Sequence, residues 1–445
     1  MVDHKRQVWR DTATVAAIAL AANLAYLACT AGNFLFPDSL IYLVLARNLL
    51  AGLGFVSKPG VAETIRTPGY PLLLATMGAH VGPVILLQHF LNAALAAGAF
   101  LGARRIGGSR LAAFAAGLFV ALDTPTIHYA NKILSETLFT GVLLLVFLGL
   151  LSLTGSGDQL KGTVDGESPA ERSDWMRPML LAGLGTGASV LIRPVAIAAF
   201  AVFAIWMILC RVPFRWVLLF VLTALLIPAG WAMRNQRRTG VFTVSSIGGT
   251  NLLLFRAAGA IVLEQSGSNF RADLLRAQTQ LLADAETEIE DTLGIPDAEE
   301  LPHAVLSRYF SRIAFRTIRE NPKGFLLLTL RGLTINLFHS RSEAMENISR
   351  LPHGLVRFAV RFWTIGMVLL ALVGVISLWM AHRRLEAMLI VMTIGYFLVI
   401  SAGAESESRF RVPVVPMEAM AAGAGMEMLV LLAQRRGAAG RAPRP

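Results

Sequence analysis

The stretch Asp38-Ser39-Leu40-Ile41-Tyr42, continuing to Ala46, spaces a carboxylate, a phenol and a gap at i, i+4 and i+8. That spacing puts Asp38, Tyr42 and Ala46 on one helical face. The other positions are largely Leu, Ile and Val, as in a helix lying on a membrane surface. An aspartate there can take the proton of an attacking hydroxyl, or it can simply cap the helix that follows Pro37. Downstream, Arg66-Thr67-Pro68-Gly69-Tyr70-Pro71 marks a tight turn with a proline suited to the first position of the next helix. Arg66 beside that turn can hold a phosphate through charge-assisted hydrogen bonds, or snorkel to an interface. Glu136 opens an apolar run, as a second acidic group or as a residue favoured by the helix dipole. Arg193-Pro194 has an architectural alternative of the same kind. Asp123 lies in an ordinary turn sequence, His128 is a lone interfacial histidine, and the acidic run 286–291 reads as a solvated helix face.

Apolar runs must hold these residues in place. They fall at about 12–32, 82–102, 110–127, 136–154, 178–192, 194–210, 214–232, 359–381, 385–402 and 412–433, several reaching the ~20 residues that cross a bilayer as a helix. With the N-terminus inside, the short inner turns carry Arg104, Arg105 and Arg110, then Arg211 and Arg215, then Arg383 and Arg384. The tail with Arg435, Arg436, Arg441 and Arg444 also falls inside, as the positive-inside rule requires. The polar segment 155–177 reads as a flexible cytoplasmic loop. Residues 323–340 are apolar but carry Arg331 near the centre, which is costly in hydrocarbon. They are expected to form an in-plane or re-entrant helix on the outer face. The expected organisation is an N-terminal catalytic membrane module over 1–232, with its first outer loop at 33–81. An outer region over 233–358 follows, with surface helices from Phe270 to about Glu300, and then a C-terminal membrane module over 359–445.

Composition agrees. The 445 residues are 55% hydrophobic and 16% charged, where soluble domains carry about 25% charge. The expected fold class is therefore an all-α polytopic membrane protein of about ten transmembrane helices. The net charge of +11 sits in short clusters between apolar runs, the distribution of a topology signal rather than of a nucleic-acid surface. Cys29 and Cys210 lie at the ends of two runs and form no zinc spacing.

Read in order, several short motifs share one pattern. They are Asp38…Tyr42…Ala46…Gly52-x-Gly54-Phe55, Arg66-x-Pro68-Gly69-Tyr70-Pro71, Ser135-Glu136-x-Leu138-Phe139 and Arg193-Pro194. Pro228-x-x-Trp231-x-x-Arg234-Asn235, Glu320-Asn321-Pro322 and Ser408-Arg409-Phe410-Arg411-x-Pro413-x-x-Pro416 follow. The order resembles that of the GT-C glycosyltransferases, in the branch of the protein O-mannosyltransferases and the lipid A aminoarabinose transferase. The resemblance covers most of the chain and implies a GT-C fold with amphipathic helices on the outer face. It also implies an inverting transferase that moves a sugar from a polyprenyl-phosphate donor to a lipid, polysaccharide or protein acceptor, and a bacterial cytoplasmic membrane. Asp38 is then the catalytic base and Glu136 a second acidic residue of the active site. Substrate contacts are expected from Tyr42, Arg66, Tyr70, Arg193, Arg234, Asn235, Arg409 and Arg411, with the five arginines projecting outward to the leaving phosphate. No metal or other cofactor is expected, since the carboxylates do not cluster in the sequence. A secondary transporter is the alternative from another class. It would bring an internal repeat and broken helices with polar residues at the midplane, neither of which the sequence contains. A catalytically dead relative that binds a lipid-linked sugar is a third reading, which the presence of both Asp38 and Glu136 disfavours.

Overall fold

Each of the ten apolar runs becomes a helix in the computed structural model, which describes residues 2–30, 32–58, 60–154, 175–265, 269–294 and 301–439. The first long helix, α1 (Val2–Cys29), is followed by the outer-loop helices α2 (Ser39–Leu50) and α3 (Gly69–Thr76), with a short hairpin of Val56–Lys58 and Val61–Ala62 between them. Then come α4 (Val81–Arg105), α5 (Arg110–Ala121), α6 (Thr124–Ala130), α7 (Glu136–Leu151), α8 (Met176–Ile192), α9 (Ala199–Leu209) and α10 (Phe214–Thr239). The loop expected at 155–177 lies, except for its last three residues, outside the described residues.

Among the described residues six helices are long and apolar enough to cross a membrane, or seven if α5 and α6, bent by 49° at Leu122-Asp123, count as one span. Four of the ten runs fold as shorter helices: α7 has 16 residues, α8 has 17 and α9 has 11. The run near 385–402 is likewise a 17-residue helix, Arg384–Ile400. At 1.5 Å per residue, 17 residues reach only ~25 Å, short of a ~30 Å hydrocarbon core. One long apolar stretch, Ile247–Glu264, falls inside the region read as wholly outside the membrane. It is built from α11 (Ile247–Asn251), a π-helical segment Leu252–Ala257 and α12 (Ala258–Glu264).

The rest of the 233–358 region consists of α13 (Phe270–Leu293), α14 (His303–Glu320), α15 (Pro322–Phe338) and α16 (Ser342–Glu346). Leu253, Ala257 and Ala258 form a small core with Leu281 and Ala285 of α13 and with Ile313 and Ala314 of α14. The amphipathic surface helix ends at Leu293, and 295–300 lie outside the described residues. Helix α15 runs without a break through the ambiguous run as far as Phe338. Its Gly324, Leu328, Gly332 and Asn336 stripe is buried, and Arg331 stacks 4.0 Å from the Phe270 ring centroid, which satisfies the cation locally.

Three helices close the bundle: α17 (His353–Met380), α18 (Arg384–Ile400) and α19 (Val415–Ala439). Helix α19 packs on α17, α5 and α4, so a single core runs from Val15 of α1 to Ala424 of α19. Backbone contact makes this possible: a Cβ on Gly374 of α17 would stand 1.7 Å from the Ala421 carbonyl oxygen of α19. Such small-residue contacts drive helix association where lipid removes the hydrophobic incentive. The outer surfaces of these helices expose Leu222 and Leu226 of α10 and Leu369, Leu372 and Ile376 of α17, an apolar belt suited to lipid. The chain is an integral membrane protein.

The basic turns collect at one end of the bundle. The Arg383 guanidinium lies 3.4 Å from where a Cβ of Gly107 would sit, and Trp206 of α9 donates to the Leu385 carbonyl. The first outer loop, the start of α7 and the residues after α18 meet at the opposite end.

Candidate active site

Asp38 occupies the N-cap position of α2 but makes no side-chain capping bond. The turn is held instead by Ser39, whose hydroxyl accepts from the Phe36 amide and donates to the Ile133 carbonyl. The Asp38 carboxylate is thereby left for tertiary partners. Arg66 donates to Oδ1 at 2.6 Å and Arg409 to Oδ2 at 3.1 Å. Each member of this trio is a fifth to a quarter exposed, so it sits at the surface rather than in the core.

The network continues from Arg409. Its Nε lies 3.6 Å from Glu407, which accepts from Arg341 at 2.5 Å and from the Tyr129 hydroxyl at 2.9 Å. Arg341, immediately before α16, holds a left-handed backbone with φ 52°. Beneath Asp38, the Arg66 guanidinium lies over the Tyr42 ring at 5.7 Å, and Tyr42 meets Tyr70 edge to face at 5.1 Å. Glu136, the first residue of α7, is 1% exposed and ion-paired with Arg193, which caps the C-terminal end of α8. Its Oε2 has no hydrogen-bond partner among the described residues, nor does Nε of Arg409. Buried polar atoms without partners are rare, and here they mark unused bonding capacity at the site.

Close packing sets the spacing of Arg66 and Arg193. A Cβ on Gly69, at the start of α3, would stand 2.7 Å from the Leu191 carbonyl and 2.9 Å from the Ile192 amide. The end of the Arg66 loop therefore rests directly on the end of α8. Arg234 of α10 holds that loop from the other side, donating to the carbonyls of Phe55 (2.8 Å) and Glu63 (2.9 Å) and stacking 4.8 Å from the Trp231 ring centroid.

Of the residues singled out in the sequence, Asp38, Tyr42, Arg66, Glu136, Arg193 and Arg409 come together. The other four have their polar groups committed to structural partners. Tyr70 is fully buried, its hydroxyl donating to Gln88 at 2.7 Å. Arg234 spends its guanidinium on loop carbonyls, and Asn235 donates to the Thr243 carbonyl at 2.7 Å. Arg411 does not project outward. It is 0% exposed, paired with Asp123 at 3.1 Å and Glu418 at 2.8 Å in an ion triad that ties α6 to α19. Asp123 also caps α6 through the Thr126 amide.

Sequence reasoning missed Glu407, Arg341 and Tyr129. The acidic pair in Glu405-Ser406-Glu407, just before Arg409, is the signal that could have raised Glu407. Nothing local points to Arg341. Counting Arg66, Arg193, Arg341 and Arg409 against Asp38, Glu136 and Glu407 gives four cations and three anions, one positive charge in excess. Lys132, donating to Asn33 nearby, is held below the usual lysine range by burial and then by the Arg341 charge. No three His, Cys, Asp or Glu side chains converge as a metal site among the described residues. All three site carboxylates face guanidinium groups, an environment that repels a cation.

No protein-family model and no curated protein matches the sequence. Solved structures do match. The apo oligosaccharyltransferase of Archaeoglobus fulgidus superposes with a TM-score of 0.57 at 12% identity, over 98% of this chain and 52% of that one. Its form tethered to an acceptor peptide gives 0.53 at 12% identity, over 94% and 49%. The chain has the GT-C fold. At this identity the likeness is one of fold, and the chain spans about half the length of the oligosaccharyltransferase it matches. ArnT from Cupriavidus metallidurans bound to undecaprenyl phosphate also aligns, at 14% identity over 94% of this chain and 77% of that one, with a TM-score of 0.40.

Proposed function

We propose that the protein is an inverting glycosyltransferase that uses a polyprenyl-phosphate sugar at the outer face of a bacterial cytoplasmic membrane. The observation that carries this reading is Asp38, uncommitted to its helix and held, partly exposed, at one end of a GT-C bundle between Arg66 and Arg409. An acceptor hydroxyl attacks the anomeric carbon, and the bond from that carbon to the phosphate oxygen breaks with its electron pair. The acceptor proton passes to the Asp38 carboxylate, and polyprenyl phosphate leaves as an anion. A single displacement of this kind inverts the anomeric centre and needs one base, whereas retention would call for a carboxylate nucleophile.

The two arginines bond the Asp38 oxygens. A phosphate offers guanidinium a geometry at least as favourable as a carboxylate. Donor binding therefore draws Arg66 and Arg409 toward the phosphate and frees Asp38 for the acceptor. Glu136 holds Arg193 in place behind them. The excess positive charge has the sign that stabilises the anionic leaving group.

The test is transfer by purified protein in lipid, with a panel of radiolabelled polyprenyl-phosphate sugars and the product's anomeric configuration read by NMR. Turnover of one donor with inversion is expected. Turnover with retention contradicts the single-displacement mechanism, and vectorial uptake of substrate without transfer contradicts the enzyme reading.

A further inference from the structure

A cavity of about 390 Å³ lies outside the site, between the chain after α10 and the outer face of α14. Its lining includes Phe242, Thr243, Ser245, Ser307, Arg308 and Ser311, and its volume is within the ~300–1,000 Å³ of small-ligand sites. The hydroxyls have a shared bias. Thr243 donates to the Ser245 carbonyl (2.8 Å), Ser245 to the Ile65 carbonyl (2.6 Å) and Ser311 to the Ser307 carbonyl (2.7 Å). A hydroxyl has one proton and two lone pairs, so these three groups, with their protons spent on the backbone, can only accept further bonds. The groove thus offers acceptors to a ligand rich in O–H donors. Arg308 is exposed at the rim and supplies donors for the ligand's oxygens. Phe242, 54% exposed, supplies an aromatic face for the ligand's C–H surface. Acceptors in a row, a cationic donor and an open ring are the chemistry of a polyhydroxylated ligand, not of an alkyl chain.

The groove is joined to the site by short links. Ser245 bonds the carbonyl of Ile65, and the next residue, Arg66, bonds Asp38. The Ser246 amide donates to the Thr64 carbonyl, and the Ser246 hydroxyl lies 2.8 Å from Nδ1 of His303 on α14. From these observations we infer that the groove binds a glycan chain, as the acceptor side of the site. The word acceptor rests on the transferase reading, whereas glycan binding does not.

The test uses the full-length protein in lipid nanodiscs, titrated with fluorophore-labelled tetrasaccharides of mannose, glucose, galactose and N-acetylglucosamine. Fluorescence anisotropy is the readout, for wild type, Phe242→Ala, Ser311→Ala and Arg276→Ala. Wild type is expected to bind at least one tetrasaccharide saturably, with each groove variant about tenfold weaker and Arg276→Ala, on the exposed face of α13, unchanged. Absence of saturable binding to wild type overturns the inference, as does wild-type affinity in both groove variants or displacement of the sugar by an unglycosylated peptide. If the tetrasaccharide binds as described but wild type transfers no donor sugar, the groove stands and the transferase reading fails. Phe242 and Ser311 are not fully buried, and a matched thermal midpoint in both variants confirms that binding rather than folding has changed.

Discussion

Asp38 sits where a helix cap would sit, and its carboxylate does not bond the helix. The two readings of this residue, base or cap, were equally legible in the sequence, and only the partners distinguish them. The same holds for Arg411. Beside Arg409 it looks like another phosphate ligand, but its partners Asp123 and Glu418 are far back in the chain or seven residues ahead, and no spacing rule announces the triad. The two arginines should therefore behave differently when removed. Arg409→Ala is expected to weaken binding of a polyprenyl-phosphate donor by about ten- to a hundredfold, the value of one hydrogen bond to a charged group. It should leave the thermal midpoint near that of wild type; equal donor affinity would remove Arg409 from the phosphate. Arg411→Ala leaves two buried carboxylates unpaired and is expected to cost about 3–5 kcal/mol. Its signature is a lowered unfolding midpoint and poor recovery from the membrane, and a wild-type midpoint would show the triad to be dispensable.

Helices carry the site by meeting end to end. The start of α3 rests on the end of α8 at Gly69, and the start of α7 presents Glu136 to Arg193 at that same end. The order of apolar runs was readable because each is long and nearly free of charge. Their true lengths were not, since polar caps such as Arg193 at the end of α8 shorten the helix without changing the run's average hydropathy. Helix Ile247–Glu264 was missed for the opposite reason: its neighbours are charged, and its apolar faces meet α13 and α14. Gly69→Ala tests the end-to-end contact. The added methyl meets backbone atoms that cannot rotate away, at a cost of about 1–3 kcal/mol in packing. Transfer should fall while α3 and α8 are forced apart, and a variant with unchanged turnover and midpoint would show that the Arg66 loop is not registered on α8.

For the molecule as a whole, the basic turns gather at one end and the candidate site at the other, and the proposed orientation places the site outside. Cys29, exposed at the end of α1, lies at the site end and gives a direct probe. In a Cys210→Ser background, a membrane-impermeant maleimide is expected to label Cys29 on intact spheroplasts. Arg105→Cys, in a chain without the native cysteines, should label only on inverted vesicles, and the reverse pattern would invert the topology. The class of fold was legible from hydropathy and from motif order together, because both are properties of runs and sequences of runs. The network of Glu407 and Arg341 was not, because it joins residues 66 positions apart through side chains alone. The central claim is that Asp38 takes the acceptor proton. The most direct measurement compares wild type with Asp38→Asn in lipid, for single-turnover transfer and for donor affinity. A rate lower by about 100- to 10,000-fold in Asp38→Asn, with donor affinity retained, is expected. Equal rates in the two proteins would contradict it.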